Sequence, residues 1–236
     1  MSIRNRILVF AVFAGIYLYF WLPTINPSTY FLFLESKKLF SEGKNSQVIS
    51  NCNEIIKKEP LFLAAYPLLA DTYYRMGDTS LALKYYFEYI RSCERKNDKK
   101  SLSAAYIGLG WIYLLQQDYP KSFDFYNKAI NLSKEAHDKL GEARALERLA
   151  VWYIDREDND KALELLMRSS EINRQRQNIW EHRYGLACDY FDIGLIFTNK
   201  DDFVTAKDFY LKSRQLFEKL KTKYELSDYY FNLGEI

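Results

Sequence analysis

A pattern of aromatic and small residues returns along this chain every 34 to 44 residues, and no other feature restricts the fold as tightly. Its clearest copy runs Tyr66, Leu69, Ala70 and Tyr73, then Gly77-Asp78, then Ala82 and Tyr86. The spacing of three and four between apolar positions is that of one helix face. Gly77-Asp78 marks a turn, and Ala82 with Tyr86 opens a second helix. Three more copies follow. One carries Tyr106, Leu109, Gly110 and Tyr113, with Gln117-Asp118 at the turn and Ser122, Tyr126 and Ala129 beyond it. The next carries Leu146, Leu149, Ala150 and Tyr153, then Glu157-Asp158, then Ala162 and Leu166. The fourth carries Tyr190, Ile193, Gly194 and Phe197, then Asp201-Asp202, then Ala206 and Tyr210. A weaker unit precedes them (Leu32, Ser36, Leu39, Gly43, Val48, Cys52, Ile55), and Tyr230, Leu233 and Gly234 open a sixth.

Each unit therefore predicts a pair of antiparallel helices. Ala70, Gly110, Ala150 and Gly194 are small where the two helices cross. Tyr73, Tyr113, Tyr153 and Phe197 are expected to fill the space between neighbouring pairs. Asp78, Asp118, Asp158 and Asp202 stand where a carboxylate caps the second helix. One such pair cannot bury its apolar face alone, so successive pairs must stack. With only 9 Gly and 5 Pro in 236 residues, the chain has few breakers and favours long helices.

The first positions of the units are 32, 66, 106, 146, 190 and 230. The spacing of 34, with its Trp/Tyr–Leu–Gly/Ala–Tyr and Ala–aromatic–Ala order, resembles the tetratricopeptide repeat. The longer spacings are similar to the 40–44-residue, longer-helix variants of that family, such as those of kinesin light chains. Leu140-Gly141-Glu142-Ala143-Arg144-Ala145-Leu146 resembles their inter-repeat segment. The resemblance implies an all-α, right-handed superhelical solenoid over residues 29–236, of about five repeats and the first helix of a sixth.

It also implies where partners bind. In this family the first helix of each pair lines the concave face, which holds peptide segments or helices of other proteins. By repeat phase that row comprises Asp71, Tyr74 and Arg75, then Trp111, Leu114 and Leu115, then Arg144, Glu147, Arg148 and Asp155, and finally Phe191, Thr198 and Asn199. Trp111 and Arg75 are residue types that dominate binding hot spots. A plainer role is open to Trp111 and Leu115, which would also fill the interior of a tight superhelix. The carboxylate clamp of some family members needs a Lys and Asn pair in the first repeats; here Lys37 and Lys38 lack the Asn.

Ahead of the repeats, Ile7 to Leu22 reads as sixteen apolar residues without a charge. That is just under the usual spanning length of about 17–25 residues, and Pro23 to Ile25 extend it uncharged. A cleaved signal peptide needs small residues at its end, which Leu22-Pro23-Thr24-Ile25 does not supply. A surface helix would show a polar face, and this one has none. An uncleaved transmembrane anchor over residues 7–23 is the expectation, with residues 24–28 as connector. Arg4 and Arg6 precede it, and the next basic residue is Lys37. The positive-inside rule then leaves residues 1–6 in the cytoplasm and carries the repeats to the extracytoplasmic or, in a bacterium, periplasmic side. Repeats on the cytosolic side are the alternative.

The remaining features exclude more than they assign. Net charge is +2, with acids and bases balanced beyond the anchor, so the basic footprint of a nucleic-acid binder is missing. Cys52, Cys93 and Cys188 lie far apart and form no C-x-x-C. His137 and His182 each lack a second ligand at metal spacing and are expected to be solvated or capping. The carboxylates fall in turns and on polar helix faces. No phosphate-binding, nucleophile-elbow or zinc-protease motif occurs. The expectation is a membrane-anchored adaptor or scaffold that assembles a multiprotein complex. It is not an enzyme, and it has no cofactor, no metal and no small-molecule substrate. A receptor for targeted polypeptides, or the sensory part of a longer signalling protein, is the alternative. Tyr229, Tyr230, Phe231 and Leu233 close the chain with an apolar face where a polar cap is usual. Either that helix docks and offers its outer face, or further repeats follow.

Overall fold

The computed structural model describes residues 26–220. The expected anchor at 7–23 and the sixth unit from Tyr230 lie outside them. Among the described residues there are ten α-helices and no strand: α1 Pro27–Ser41, α2 Asn45–Lys58, α3 Ala65–Arg75, α4 Thr79–Lys96, α5 Lys99–Leu115, α6 Tyr119–Glu135, α7 Lys139–Ile154, α8 Asn159–Arg174, α9 Trp180–Asn199 and α10 Phe203–Leu220. None of these helices is long and apolar enough to cross a membrane. The expected connector ends early. Pro27 is already the first residue of α1, where its fixed φ and missing N–H suit a helix start, and Asn26 caps it by accepting from the Ser28 N–H.

The described residues divide into two compact units, one ending at Asp78 and one beginning at Thr79. In the first, α1 and α2 form a pair and α3 packs on both. Val48, Cys52, Ile55, Leu69 and Ala70 are fully buried there. The clearest sequence copy is shared out, with Tyr66 and Tyr73 on α3 of the first unit and Ala82 and Tyr86 on α4 of the second.

The second unit follows the repeat. Helices α5–α6, α7–α8 and α9–α10 are antiparallel pairs, and α6–α7 and α8–α9 join one pair to the next. The first helices also touch one another, α5 against α7 and α7 against α9, so they form a continuous row. The small crossing residues act as expected. A Cβ placed on Gly110 would stand 2.5 Å from the Tyr126 ring, and one on Gly194 would stand 2.7 Å from Tyr210. The glycines are therefore the recesses into which those buried rings fit.

The larger aromatics depart in part from expectation. Tyr113 stacks on Phe125 at 5.5 Å and Phe197 on Phe209 at 5.8 Å, each within its own pair rather than between pairs. Tyr153 does reach the neighbouring pair, meeting Phe123 edge-on at 6.4 Å. The helix register explains the difference. Phe125 and Phe209 offer a flat ring at the equivalent position of the second helix, where α8 has Leu165.

The turns inside the three pairs of the second unit share one solution. Gln117, Glu157 and Asp201 each adopt a positive φ, between 59° and 61°, and are followed by Asp118, Asp158 and Asp202. Each of these carboxylates accepts from the backbone N–H three residues on: Lys121, Lys161 and Thr205. Asn97-Asp98 repeats the arrangement between α4 and α5, with Asp98 accepting from the Ser101 N–H at 3.0 Å. His137, φ 52°, precedes Asp138 in the same way and is exposed, as expected. His182 is a correction. It is buried, and its Nδ1 lies 3.0 Å from Asn173 Oδ1 inside the α8–α9 contact.

Candidate partner-binding site

The row of first helices in the second unit carries a cavity of about 400 Å³. Trp111 comes from α5, and Glu147, Arg148 and Val151 come from α7. Cys188, Phe191 and Asp192 come from α9, and Phe217 comes from α10. Helical spacing makes this convergence. Glu147, Arg148 and Val151 are four or fewer apart on one face, as are Cys188, Phe191 and Asp192. The Arg148 guanidinium lies 4.9 Å over the Trp111 ring and 3.8 Å from a Glu147 carboxylate oxygen. Glu147 is the main reason that Arg148 holds its proton more firmly than an ordinary arginine.

Asp192 behaves differently. Burial, and after it the charge of Glu147, push its carboxyl up to about 8 against the pull of Arg148. Beside it, Asp189 is fully buried. Its Oδ2 accepts from Asn173 Nδ2 at 2.9 Å while its Oδ1 has no partner, and burial raises it well above the ordinary carboxylate range. The expectation that acids keep to turns and polar faces thus fails at α9. Burial also raises the Cys188 thiol well above its usual value.

Four of the sequence-derived groove residues meet in this cavity: Trp111, Glu147, Arg148 and Phe191. The others are scattered. Leu114 is buried in the core, so it is unavailable to a partner. Leu115 is 46% exposed at the end of α5, and Arg144, Asp155 and Asn199 are exposed. The Thr198 hydroxyl bonds the Gly194 carbonyl at 3.1 Å and lies 3.2 Å from the Tyr210 hydroxyl, so it is spent on the α9–α10 pair.

In the first unit, Asp71 is exposed and Tyr74 half-buried. Arg75 is occupied. It donates to the Phe40 carbonyl at 2.6 Å and to Asn45, and its guanidinium lies 3.8 Å over the Phe40 ring. It therefore fastens α3 to α1 and α2 rather than waiting for a ligand. Sequence reasoning missed Val151, Cys188, Asp192 and Phe217. Asp192 was signalled, since it is an acid inside the apolar run Tyr190-Phe191-Asp192-Ile193.

The sequence model of the tetratricopeptide repeat matches residues 61–135 and 101–175. Residues 61–175, 115 of the 236, are similar to tetratricopeptide repeats. The cavity thus joins the matched repeats to the pair that follows them, since Cys188, Phe191, Asp192 and Phe217 lie beyond residue 175. Several solved structures share the fold at low identity. BtubC of P. vanneervenii superposes with a TM-score of 0.63 and 18% identity, over 82% of this chain and 81% of that one. The apo form of RapI gives 0.66 and 15%, over 86% and 74%. PilF of Pseudomonas aeruginosa gives 0.59 and 15%, over 83% and 77%. No curated protein sequence matches the chain. Among the described residues, no three His, Cys, Asp or Glu side chains gather as a metal set.

Proposed function

We propose that this protein is a membrane-anchored scaffold whose repeats hold a segment of another protein on the face made by their first helices. The observation that carries this reading is the cavity. Trp111, Glu147, Arg148 and Phe191 come from three successive first helices and face one opening, as a groove for a polypeptide requires. A repeat fold is a common platform for such binding, and the site, not the fold, must supply the specificity. The uncharged stretch from Ile7 to Leu22 supports a tether, with residues 1–6 in the cytoplasm and the repeats across the membrane. A tether raises the effective concentration of the groove near membrane partners without adding contacts.

The test is site-directed photocrosslinking in living cells. A crosslinking amino acid at Leu115, exposed on α5 one helical turn after Trp111, is expected to yield a discrete adduct with another polypeptide. The same amino acid at Met167, 51% exposed on the second helix α8, is expected to yield none. Equal adducts from both positions, or none from either, would remove the groove reading. Protease accessibility in intact cells tests the side of the membrane independently.

A further inference from the structure

We propose that the cavity receives a lysine or arginine side chain of the partner polypeptide, with Asp192 as its counter-ion. The inference rests on the groove reading and specifies its chemistry.

Three features of the cavity select a cation. Its charged lining is two carboxylates, Glu147 and Asp192, against one guanidinium, Arg148. Arg148 is already engaged, 3.8 Å from Glu147 and 4.9 Å over Trp111. Asp192 feels Arg148 only through its charge, against the opposing charge of Glu147, so its carboxylate has room for a cationic guest. The remaining wall is aromatic, with Trp111, Phe191 and Phe217. Aromatic faces attract ammonium and guanidinium groups, most strongly where water is excluded. The volume of about 400 Å³ is ample for a long basic side chain with part of a neighbouring residue.

The energetics run the same way. An ionised carboxylate without a partner is costly in a cleft walled by rings. In the free protein Asp192 avoids that cost by keeping its proton, as its raised value of about 8 states. A cationic guest makes the ionised form favourable, so binding releases the proton to solvent. An apolar guest would gain nothing from the carboxylate, and an anionic guest would be repelled by it.

Other charged and titrating groups surround Asp192. Glu147 and Arg148 on α7 form their own pair, and Cys188 and Asp189 on α9 and Tyr210 on α10 are all raised by burial. Tyr126 on α6, which senses Arg148, is pushed beyond the neutral range.

The full chain, kept in non-ionic detergent, is panned at about pH 8.5 against a phage library of random short peptides. Selected peptides are expected to carry a lysine or arginine at one fixed position. Their affinity is expected to fall roughly 20-fold at about pH 6.5, as Asp192 regains its proton. The isosteric Asp192→Asn variant is expected to lose both the basic preference and the pH dependence, while its circular dichroism stays unchanged.

Peptides with no basic position, or a basic preference that survives in Asp192→Asn, overturn this inference and leave the groove reading standing. Recovery of no peptide above an unrelated control protein overturns both. N-acetyl-arginine amide that binds as tightly as the selected peptide also overturns the assignment to a polypeptide, because the cavity would then be a small-molecule site.

Discussion

The Asn173 side-chain amide donates to Asp189 at 2.9 Å and so ties α8 to α9 through a buried polar bond. Its carbonyl oxygen meets His182, and its nitrogen lies 3.4 Å from the Ser169 hydroxyl, which in turn donates to the Ala143 carbonyl at 3.1 Å. The backbone makes room for this group at Gly185, where a Cβ would stand 2.8 Å from the Asn173 nitrogen. Asn173 bonds both of these buried neighbours, His182 and Asp189. Asn173→Leu is therefore expected to orphan His182 and Asp189, at about 1–3 kcal/mol for each group. Urea unfolding followed by circular dichroism measures the loss.

A second expectation concerns pH. Asp192 has a folded value raised to about 8 from an ordinary 3.8. Between those limits the folded state holds a proton that the unfolded state has released, so the stability contributed by this site falls as pH rises. Below about pH 4 both states are protonated and the penalty vanishes. Asp192→Asn should then match the wild type in melting temperature at low pH and exceed it by an amount that grows up to about pH 8. A gain of about 1–3 kcal/mol at the upper end corresponds to several degrees. His182 acts in the opposite direction. Burial lowers its pKa, so its contribution is lost as pH falls through the unfolded value of about 6.5. Differential scanning calorimetry across this range, on wild type, Asp192→Asn and His182→Gln, separates the two groups.

The recesses at Gly110 and Gly194 make a packing prediction. Gly110→Ala drives a methyl to 2.5 Å from the fully buried Tyr126 ring. The ring is fully buried and must shift within the core, so the variant is expected to lose about 1–3 kcal/mol. Tyr126→Leu on the same chain should recover part of that loss, giving a coupling energy of about 0.5 kcal/mol or more in a double-mutant cycle. Additive effects would show that ring and recess are independent.

The left-handed turns predict stabilisation. Gln117 and Glu157 have φ near 60° without being glycine. An L-residue there carries a penalty of roughly 1–2 kcal/mol that glycine escapes, less the greater freedom of glycine in the unfolded chain. Gln117→Gly and Glu157→Gly are each expected to raise stability by up to about 1 kcal/mol, and to add when combined. Thermal unfolding of the two single variants and the double variant is sufficient.

What could be read in advance follows from what local sequence encodes. The pairing of helices was legible because Gly110 and Gly194 stand at fixed distances from Tyr126 and Tyr210, and because Asp118, Asp158 and Asp202 close each turn. Those are short-range matters of size and capping. The internal contacts of Arg75 could not be read in advance, because Phe40 and Asn45 lie 35 and 30 residues away and no local rule reveals them. Leu114 and Leu115 are adjacent, yet one is core and the other exposed. A repeat phase accurate to one residue is needed to separate them. His182 looked like a surface residue because Asn173, which makes its burial tolerable, belongs to another helix. Half of the cavity was named beforehand, since the family phase marks first helices. Asp192 escaped because an acid on a helix is normally solvated; its place in an apolar run was the one local sign, and the residues of α5, α7 and α10 that share its cavity lie far off in sequence.

The same turn, a left-handed residue followed by an aspartate, reverses the chain both within pairs and between them. Each reversal is specified by a handful of adjacent residues and needs no distant contact to define it. A nascent chain leaving the ribosome can therefore set the direction of the helices after these corners before the one after next has been made, and a duplicated segment that carries such a turn would still know where to bend. Growth of such a protein by whole-unit insertion requires no redesign of its corners.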